Sequence, residues 1–589
     1  MTHLLSQITI KNFKSIRNET FELSAFTPLV GYNNAGKSNI LESIKWLLRK
    51  TALTDTDYYN TADSVEMEGK ISGITTTILD QLPANQQTAI RPFLSTESLF
   101  IKRVQERPNA GIANIRLYVQ DPTKIGTADE WKINPAGLDQ AIQALFPEPI
   151  HIGAMENSEE DVSKSKNTTT IGKLLSEIIG PIQTSYGTQL RTALDGIKEL
   201  LDAGSTSRAT ELNNFDMAIS TKIQSFFPGI SIKIHIPTPE LKDVFSKGTI
   251  KVFENLNAKD VSALGHGAQR SIQMALVRHL ADTKRTSGGQ TSNTILLIDE
   301  PELYLHPQAI EVLRDALKIL SNQGYQVIFS THSPFMITSK EVENTLLIRK
   351  NDTVGTHKIH SLKTAIATVA SAHPSQLEII FSLSNSSNIL FSEKVILAEG
   401  KTENRLLPKI IQKITGKTLG FHKTALVPID GSGSTRKTIE VLRAMALPTK
   451  AIVDLDYALK EGERQGFLTI GDTDVATIKD HLARIAPTHS INLNSGWPTR
   501  TSTMTAAEAF ALLAREPTIQ TNLTSLRTKM QQEGIYVWIK GTIENHLGEI
   551  PKNEMGWASF NARLETEQLN TILPTDHAEI ECLVNWLLA

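Results

Sequence analysis

The chain has 589 residues, a formal net charge of −3 and a single cysteine, and it contains no run of about 18 apolar residues. These values argue against a spanning helix, a disulfide-built scaffold and a chain that coats nucleic acid indiscriminately, and they leave room for roughly three to five ordinary domains. The opening MTHLLSQITIKNF lacks the charged-then-apolar pattern of a secretory leader, so a cytoplasmic location is expected. Cys582, within ECLVNWLL, reads as a buried small residue rather than a reactive thiol.

Strand-like segments at 7–10, 20–23 and 27–30 lead into GYNNAGKS at 31–38, which fits the GxxxxGK[ST] phosphate loop. Gly31 and Gly36, with Asn33 and Asn34 between them, let backbone N–H groups curl around phosphate. Lys37 supplies charge to the β and γ phosphates, and Ser38 offers a hydroxyl to magnesium. A helix follows, with Ile40, Leu41, Ile44, Leu47 and Leu48 on one face.

Short helical patterns occupy 171–179, 189–201 and 209–227, and polar stretches at 157–170 and 283–293 read as loops. LGHGAQR, at 264–270, opens another helix. Glycines at a helix start, here Gly265 and Gly267 beside Gln269, expose N–H groups to an anion. The apolar strand 295–298 ends in Asp299, placed to hold magnesium, and Glu300, placed to activate water. A further strand, 326–329, ends in STHSP, where His332 is a candidate γ-phosphate sensor.

In this order the pieces resemble an ABC-type ATPase of the SMC, Rad50, RecF and OLD lineage, with LGHGAQR as the signature motif. The resemblance implies ATP with Mg2+ as cofactor and a signature that faces the phosphate loop of a second protomer. One phosphate loop is present, so at least a homodimer is implied, and a tetramer is compatible. The intervening helical patterns are too short for a coiled-coil arm and suit a compact insertion.

KVILAEGKTEN, at 394–404, begins a second pattern. An unbroken apolar run at 395–398 suits a strand buried on both faces, and a helical stripe of Leu406, Leu407, Ile410, Ile411 and Ile414 follows. Glu399 and Glu403 therefore flank a strand-to-helix turn, at the pole where open α/β sheets bind ligands. Two acids held together repel unless a cation lies between them, the alternative being a solvated turn. Further on come a strand at 425–429, a DGSGS turn at 430–434, a helix at 437–445, and a strand at 450–453 closing in Asp454-Leu455-Asp456. On an extended chain those two aspartates point the same way. A last strand, 535–539, precedes Lys540, Thr542 and Glu544. Oxygen-only ligands favour magnesium, manganese or calcium over zinc. Between Lys394 and Lys450 there are eleven basic residues against four acidic ones, a run that would attract a phosphate backbone or simply form a solvated face.

A glutamate after a first strand and a DxD after a later one resemble a Toprim domain. The whole arrangement resembles the OLD (overcoming lysogenization defect) nucleases, which include the nuclease subunit of the Gabija defence system and retron-associated effectors. The resemblance implies an α/β chain in four parts: an ABC-type ATPase in two pieces, 1–155 and 246–385, interrupted by a small helical dimerisation insertion, 156–245, and followed by a parallel-sheet Toprim domain, 386–589. It also implies that Glu399, Glu403, Asp454, Asp456 and Glu544 carry two divalent ions, Mg2+ or Mn2+, with Thr542 as a helper. The family places a catalytic lysine downstream of the last acid. This chain has none after Lys552, so Lys552 is the first candidate and Lys540 the second. The activity implied is nucleotide-gated DNA cleavage by two-metal hydrolysis in antiviral defence. Implied partners are DNA, further copies of the chain, and a helicase or a retron reverse transcriptase with its RNA/DNA. The competing expectation is a RecF-like, ATP-driven repair clamp with a non-catalytic Toprim domain; a transporter ATPase is disfavoured by the signature and the C-terminal domain.

Overall fold

In the computed structural model the chain divides into two compact units, the first comprising Met1–Leu29, Asn34–Met336 and Lys350–His357, the second Val30–Asn33, Ile337–Arg349 and Lys358–Ala589. The structure describes residues 3–146, 149–153, 170–237, 250–254, 257–287, 294–338, 341–359, 364–365, 369, 386–429 and 435–589. The expected DGSGS turn at 430–434 lies outside these, as do 157–169 and 288–293 of the two expected loops. Among the described residues no helix is long and apolar enough to cross a membrane.

The first strands are β1 (Leu4–Phe13), β2 (Ile16–Glu22), β3 (Phe26–Val30), β4 (Val65–Ser72), β5 (Ser98–Gln105), β6 (Arg116–Gln120), β7 (Trp131–Ile133) and β8 (Ile150–Ile152). After them come β9 (Lys251–Glu254), β10 (Asn257–Asp260), β11 (Thr294–Ile298), β12 (Tyr325–Thr331), β13 (Leu346–Asn351) and β14 (Gly355–Lys358). One run of the large sheet, β7-β6-β5-β4-β1-β2-β14, is antiparallel where its pairings are given. β4 alternates buried and half-buried residues along its whole length, the pattern of a strand with one face on the core and one toward water.

The other run, β3-β12-β11-β8, carries the nucleotide motifs. β11 pairs in parallel with both β12 and β8, and β3, β11 and β12 are buried at every position. Such strands need apolar residues on both faces, which is why TILLI reads as an unbroken run. The helix Lys37–Leu48 turns Ile40, Leu41, Ile44, Leu47 and Leu48 inward, the stripe expected from its periodicity.

Two helical expectations are revised. The patterns at 171–179 and 189–201 form one helix, Thr170–Leu201, which runs through Gly180 and Pro181. A Gly-Pro pair reads locally as a stop, but the residues on either side carry enough helical periodicity to continue. The helix His266–Ser287 likewise extends into the segment expected to be a loop from 283.

In the second unit β15 (Lys394–Ala398), β16 (Thr424–Pro428), β17 (Thr449–Asp454) and β20 (Ile535–Trp538) form a parallel sheet in the order β16-β15-β17-β20. Between β17 and β20 lie helices Thr473–Ile485, Ala506–Ala514 and Gln520–Gln532, and a small hairpin of β18 (Leu493–Asn494) and β19 (Trp497–Pro498). Helices Lys401–Thr415, Glu554–Thr566 and His577–Leu588 share a core with Ile396, Ala398, Ile452 and Trp538 of the sheet. Cys582 is exposed, contrary to expectation: its helix buries Ile580, Leu583, Val584 and Leu587, and position 582 falls on the opposite face.

The basic run is mostly occupied within this unit. Arg405 pairs with Glu554 at 3.1 Å, Lys409 with Glu565 at 3.0 Å, Lys423 with Glu393 at 2.7 Å and Arg436 with Glu440 at 2.8 Å. Lys394, Lys450 and Arg443 donate to the carbonyls of Leu588, Trp586 and Glu533. Seven of the eleven cations thus have internal partners, so the run is largely structural rather than an open positive field.

Candidate functional site

Because the small sheet is parallel, the carboxyl ends of β15, β17 and β20 lie side by side, and each is followed by an acid. Glu399 leaves β15 with its N–H on the carbonyl of Ile452, and its Oε2 accepts from the N–H of Asp454 at 2.8 Å. Glu399, Asp454 and Asp456 bring one carboxylate oxygen each to within 4.8 Å of one another. The two aspartates meet by a route other than strand alternation. Asp454 is the last residue of β17 and Asp456 already sits in the first turn of the helix Leu455–Glu461, because the strand ends one residue earlier than an extended DxD requires.

Glu403 and Glu544 stand close by. Glu403 is buried, and its Oε1 accepts from Nε1 of Trp538 at 3.0 Å. Gly400 lies against it: a Cβ there would meet Oε2 of Glu403 at 2.7 Å, so the turn admits only glycine without displacing the acid. Glu544 accepts from the hydroxyl of Thr402, and Nζ of Lys552 lies 3.6 Å from the same Oε1.

The electrostatics are those of a crowded acidic cleft. Burial, with Asp456 and Glu403 adding repulsion, pushes the Glu399 carboxyl up to about 7. Burial raises Asp454 well above the usual range, reinforced by Glu403 and Glu399, and burial together with Glu544 raises Glu403. Burial opposes the charge of Lys552, but Glu544, Asp454 and Glu403 outweigh it and hold that ammonium above its ordinary value. Oδ1 of Asp454 and Oε2 of Glu544 are buried with no hydrogen-bond partner. Orphaned carboxylate oxygens among like charges match the donor set of a hard divalent cation.

Lys540 and Thr542 are held elsewhere. Lys540 pairs with Asp576 and donates its N–H to Nε2 of the buried His546 at 3.1 Å. The hydroxyl of Thr542 donates to Oδ1 of Asn545 at 3.1 Å, and the same oxygen accepts from the N–H of Thr542 at 3.2 Å, at the start of the helix Ile543–His546. Sequence reasoning missed Thr402 and Trp538. Nothing local marks a threonine between two glutamates, and a tryptophan in IYVWI reads as core. Trp538→Phe keeps the ring but removes the donor to Glu403. It is expected to lower divalent affinity about 10- to 100-fold with the fold retained, as calorimetric titration with Mn2+ would show.

Lys37, Ser38, Asp299, Glu300 and His332 come together in the first unit. Ser38 Oγ donates to Oδ2 of Asp299 at 2.6 Å, and Ser330 donates to its other oxygen. Nε2 of His332 lies 2.8 Å from Nζ of Lys37 and 3.3 Å from Oε1 of Glu300. One nitrogen cannot serve both at once: neutral at Nε2, it accepts from Lys37, and protonated there, it donates to Glu300. Hydrogen bonding to His332 outweighs burial and lowers the Glu300 pKa, which keeps this candidate base ionised.

The phosphate loop is fixed from behind by a directional chain of hydroxyls. Asn39 Nδ2 donates to Ser15 Oγ at 2.7 Å, Ser15 and Thr356 are 2.7 Å apart, and Thr356 donates to the carbonyl of Ala35 at 2.8 Å. Asn34 and Gly36 have φ of 65° and 100°. Gly265 immediately precedes the helix His266–Ser287, Gly267 lies in its first turn, and Gln269 donates from its side chain to the carbonyl of Leu264 at 2.9 Å. A cavity of about 530 Å3 beside Ser15 is lined by Lys14, Thr56, Asp57, Tyr59 and Lys350.

A phosphate-loop motif and two acids at the end of a buried strand on a mixed sheet, together with an acidic cluster on a parallel sheet, define an ATPase carrying a TOPRIM domain. The AAA ATPase domain family matches residues 4–87 and 104–337, and the overcoming lysogenization defect protein-like TOPRIM domain matches 390–456. The Old nuclease of Escherichia phage P2 is 38% identical over 603 residues, covering 100% of both chains. Endonuclease GajA of Bacillus cereus is 25% identical over 69% of this chain and 68% of its own, and the OLD nuclease of Thermus scotoductus is 20% identical over 77% and 82%. Among solved structures, an Smc head bound to the C-terminal winged-helix domain of ScpA is 17% identical, covers 62% of this chain and 99% of its own, and has a TM-score of 0.36. The chain belongs to the OLD nuclease family.

Proposed function

We propose that this protein is a divalent-metal-dependent DNA endonuclease gated by ATP and acting in antiviral defence. The observation that carries the reading is the carboxylate cluster of Glu399, Asp454 and Asp456, with Glu403 and Glu544 beside it and two buried oxygens lacking partners. Glu399, Asp454 and Asp456 would hold one ion, and Glu403 and Glu544 would help hold a second. When bound, Mg2+ or Mn2+ supplies a nucleophilic hydroxide near neutral pH and stabilises the leaving oxygen. Lys552, held positive among the acids, neutralises charge that builds on the phosphate in flight. Lys552→Ala is expected to depress plasmid cleavage at least about tenfold, while Lys540→Ala, which removes a partner of Asp576, changes it less than about threefold.

In the ATPase, Lys37 would meet the β and γ phosphates, Ser38 and Asp299 would hold Mg2+, Glu300 would take the proton of the attacking water and His332 would contact the γ-phosphate. The cavity beside Ser15 is the proposed seat of the nucleoside. We assign 1–155 and 246–385 to the ATPase, 386–589 to the TOPRIM domain and 156–245 to a dimerisation insertion. Support for the last is its exposed Phe215, Met217, Phe226 and Phe227, which are 47–78% accessible, an apolar set that a second copy would cover. Incubating supercoiled plasmid with the protein and Mg2+ or Mn2+, with and without ATP, tests the central reading. ATP turnover without nicking under any of these conditions would identify an ATP-driven DNA clamp instead.

A further inference from the structure

Glu300 has a left-handed backbone conformation, φ 46°, which is strained for a residue with a Cβ and persists only where neighbours over-determine it. Those neighbours are identifiable. Arg270, 1% exposed on the signature helix, donates from Nη2 to the carbonyls of both Asp299, at 2.9 Å, and Glu300, at 2.7 Å. Its Nη1 is anchored on the carbonyl of Gly153 at 3.1 Å and on Oε1 of Gln273 at 2.7 Å. The N–H of Glu300 is taken by Ser330 Oγ at 3.0 Å, so the peptide groups on both sides of the acid are pinned.

The histidine opposite is pinned from the same turn. Oε1 of Glu302 accepts from the Thr331 hydroxyl and the N–H of His332, both at 2.7 Å, and from the N–H of Ser333 at 3.2 Å. Oε2 of Glu302 is buried with no hydrogen-bond partner, so the carboxylate is largely withdrawn from water for the sake of this one grip.

We propose that Arg270 and Glu302 are positioning residues for ATP hydrolysis: Arg270 fixes the backbone that aims Glu300, and Glu302 fixes the loop that aims His332, so that the acid and the histidine are held side by side, 3.3 Å apart, next to Lys37. Arg270 rides on the helix that begins with the signature loop. A displacement of that helix on nucleotide engagement therefore reaches Glu300 directly, within one chain. Lysine cannot replace Arg270, because an ammonium lacks the planar fork that spans two successive carbonyls and a third group. Glutamine can replace Glu302, since it keeps the accepting oxygen.

The inference rests on Glu300 and His332 performing the hydrolysis, and the experiment separates the two claims. Steady-state ATPase kinetics, nucleotide affinity and melting temperature are measured on the full chain for Glu300→Gln, Arg270→Lys, Glu302→Gln and Glu302→Ala. Arg270→Lys and Glu302→Ala are expected to lower kcat about 10- to 100-fold with KM within about threefold, the cost of an ångström-scale misplacement of a catalytic group. Glu302→Gln should keep most of the wild-type kcat, a rescue that loss of packing would not produce. Should Arg270→Lys melt early, the Glu302 pair still decides for that half of the grip, and Gln273→Ala, which frees Nη1 of Arg270, decides for the other by the same kcat-against-KM split. Loss of turnover in Glu300→Gln with normal kcat in the folded positioning variants would overturn this inference alone. Turnover retained in Glu300→Gln would overturn the reading beneath it.

Discussion

Asp454→Asn is expected to abolish metal-dependent DNA cleavage and, in the absence of metal, to raise the melting temperature. Removing one carboxylate from the cluster forfeits several kcal/mol of transition-state stabilisation, which lowers the rate of plasmid nicking about a thousandfold or more. The stability effect has the opposite sign because Asp454, Glu399 and Glu403 all have raised pKa values in the folded protein. For such acids the folded state holds more protons than the unfolded one between the unfolded and folded pKa values. Stability is therefore greatest below the unfolded value and is lost as pH rises through the folded one, for Glu399 between 4.5 and about 7. Metal-free wild-type protein should accordingly melt lower at pH 8 than at pH 6, and Mg2+ or Mn2+ should remove most of that difference. At pH 8 the asparagine variant should melt a few degrees higher than wild type, at about 2–4 °C per kcal/mol of relieved repulsion. Differential scanning calorimetry at both pH values, with and without 5 mM-scale metal, reads all of this. A lower melting temperature for the variant together with an unchanged pH slope would mean that these acids do not crowd one another.

Gly36→Ala should weaken ATP binding about a hundredfold, at roughly 1.4 kcal/mol per factor of ten. Two costs add at this position. The φ of 100° is strained for any residue with a Cβ, and that Cβ would lie 2.2 Å from Thr356 Oγ1 and 2.9 Å from Ser15 Oγ. Both hydroxyls belong to the chain that supports the carbonyl of Ala35, so they cannot give way without releasing the loop. Titration with a fluorescent ATP analogue measures the loss. Adding Thr356→Ala removes the overlap with that side chain but leaves the approach to Ser15 Oγ, the backbone strain and an unsupported Ala35 carbonyl, so the double variant should recover at most part of the affinity. Unchanged affinity in Gly36→Ala would show that nucleotide is held by some other part of the protein.

Much of the catalytic inventory is legible in one dimension because its parts are local. The phosphate loop is a contiguous turn between a strand and a helix, and Asp299, Glu300 and His332 close buried strands whose apolar runs cannot be mistaken for solvent-facing segments. Glu399 and Glu403 fall at a strand-to-helix turn for the same reason. Less legible were the groups that act through others. Thr402 and Trp538 have ordinary sequence surroundings, Arg270 and Glu302 lie inside motifs that mark other residues, and the contacts of all four are with residues far along the chain. The exposed Cys582 shows the same limit from the other side, since the face a residue presents depends on how its helix packs.

By itself the amino-acid order determined which segments are buried strands, which glycines permit a phosphate-binding turn, and which acids stand at strand ends, because periodicity, backbone freedom and charge are properties of neighbouring residues. Only the tertiary structure decided that Ser38 reaches Asp299, that Glu399 joins Asp454 and Asp456, that Lys552 rather than Lys540 lies among the acids, and that most of the basic run serves internal pairing. Those outcomes depend on strand order in two sheets and on competition among partners brought together by folding, and an electrostatic partner many residues away leaves no mark on the local pattern.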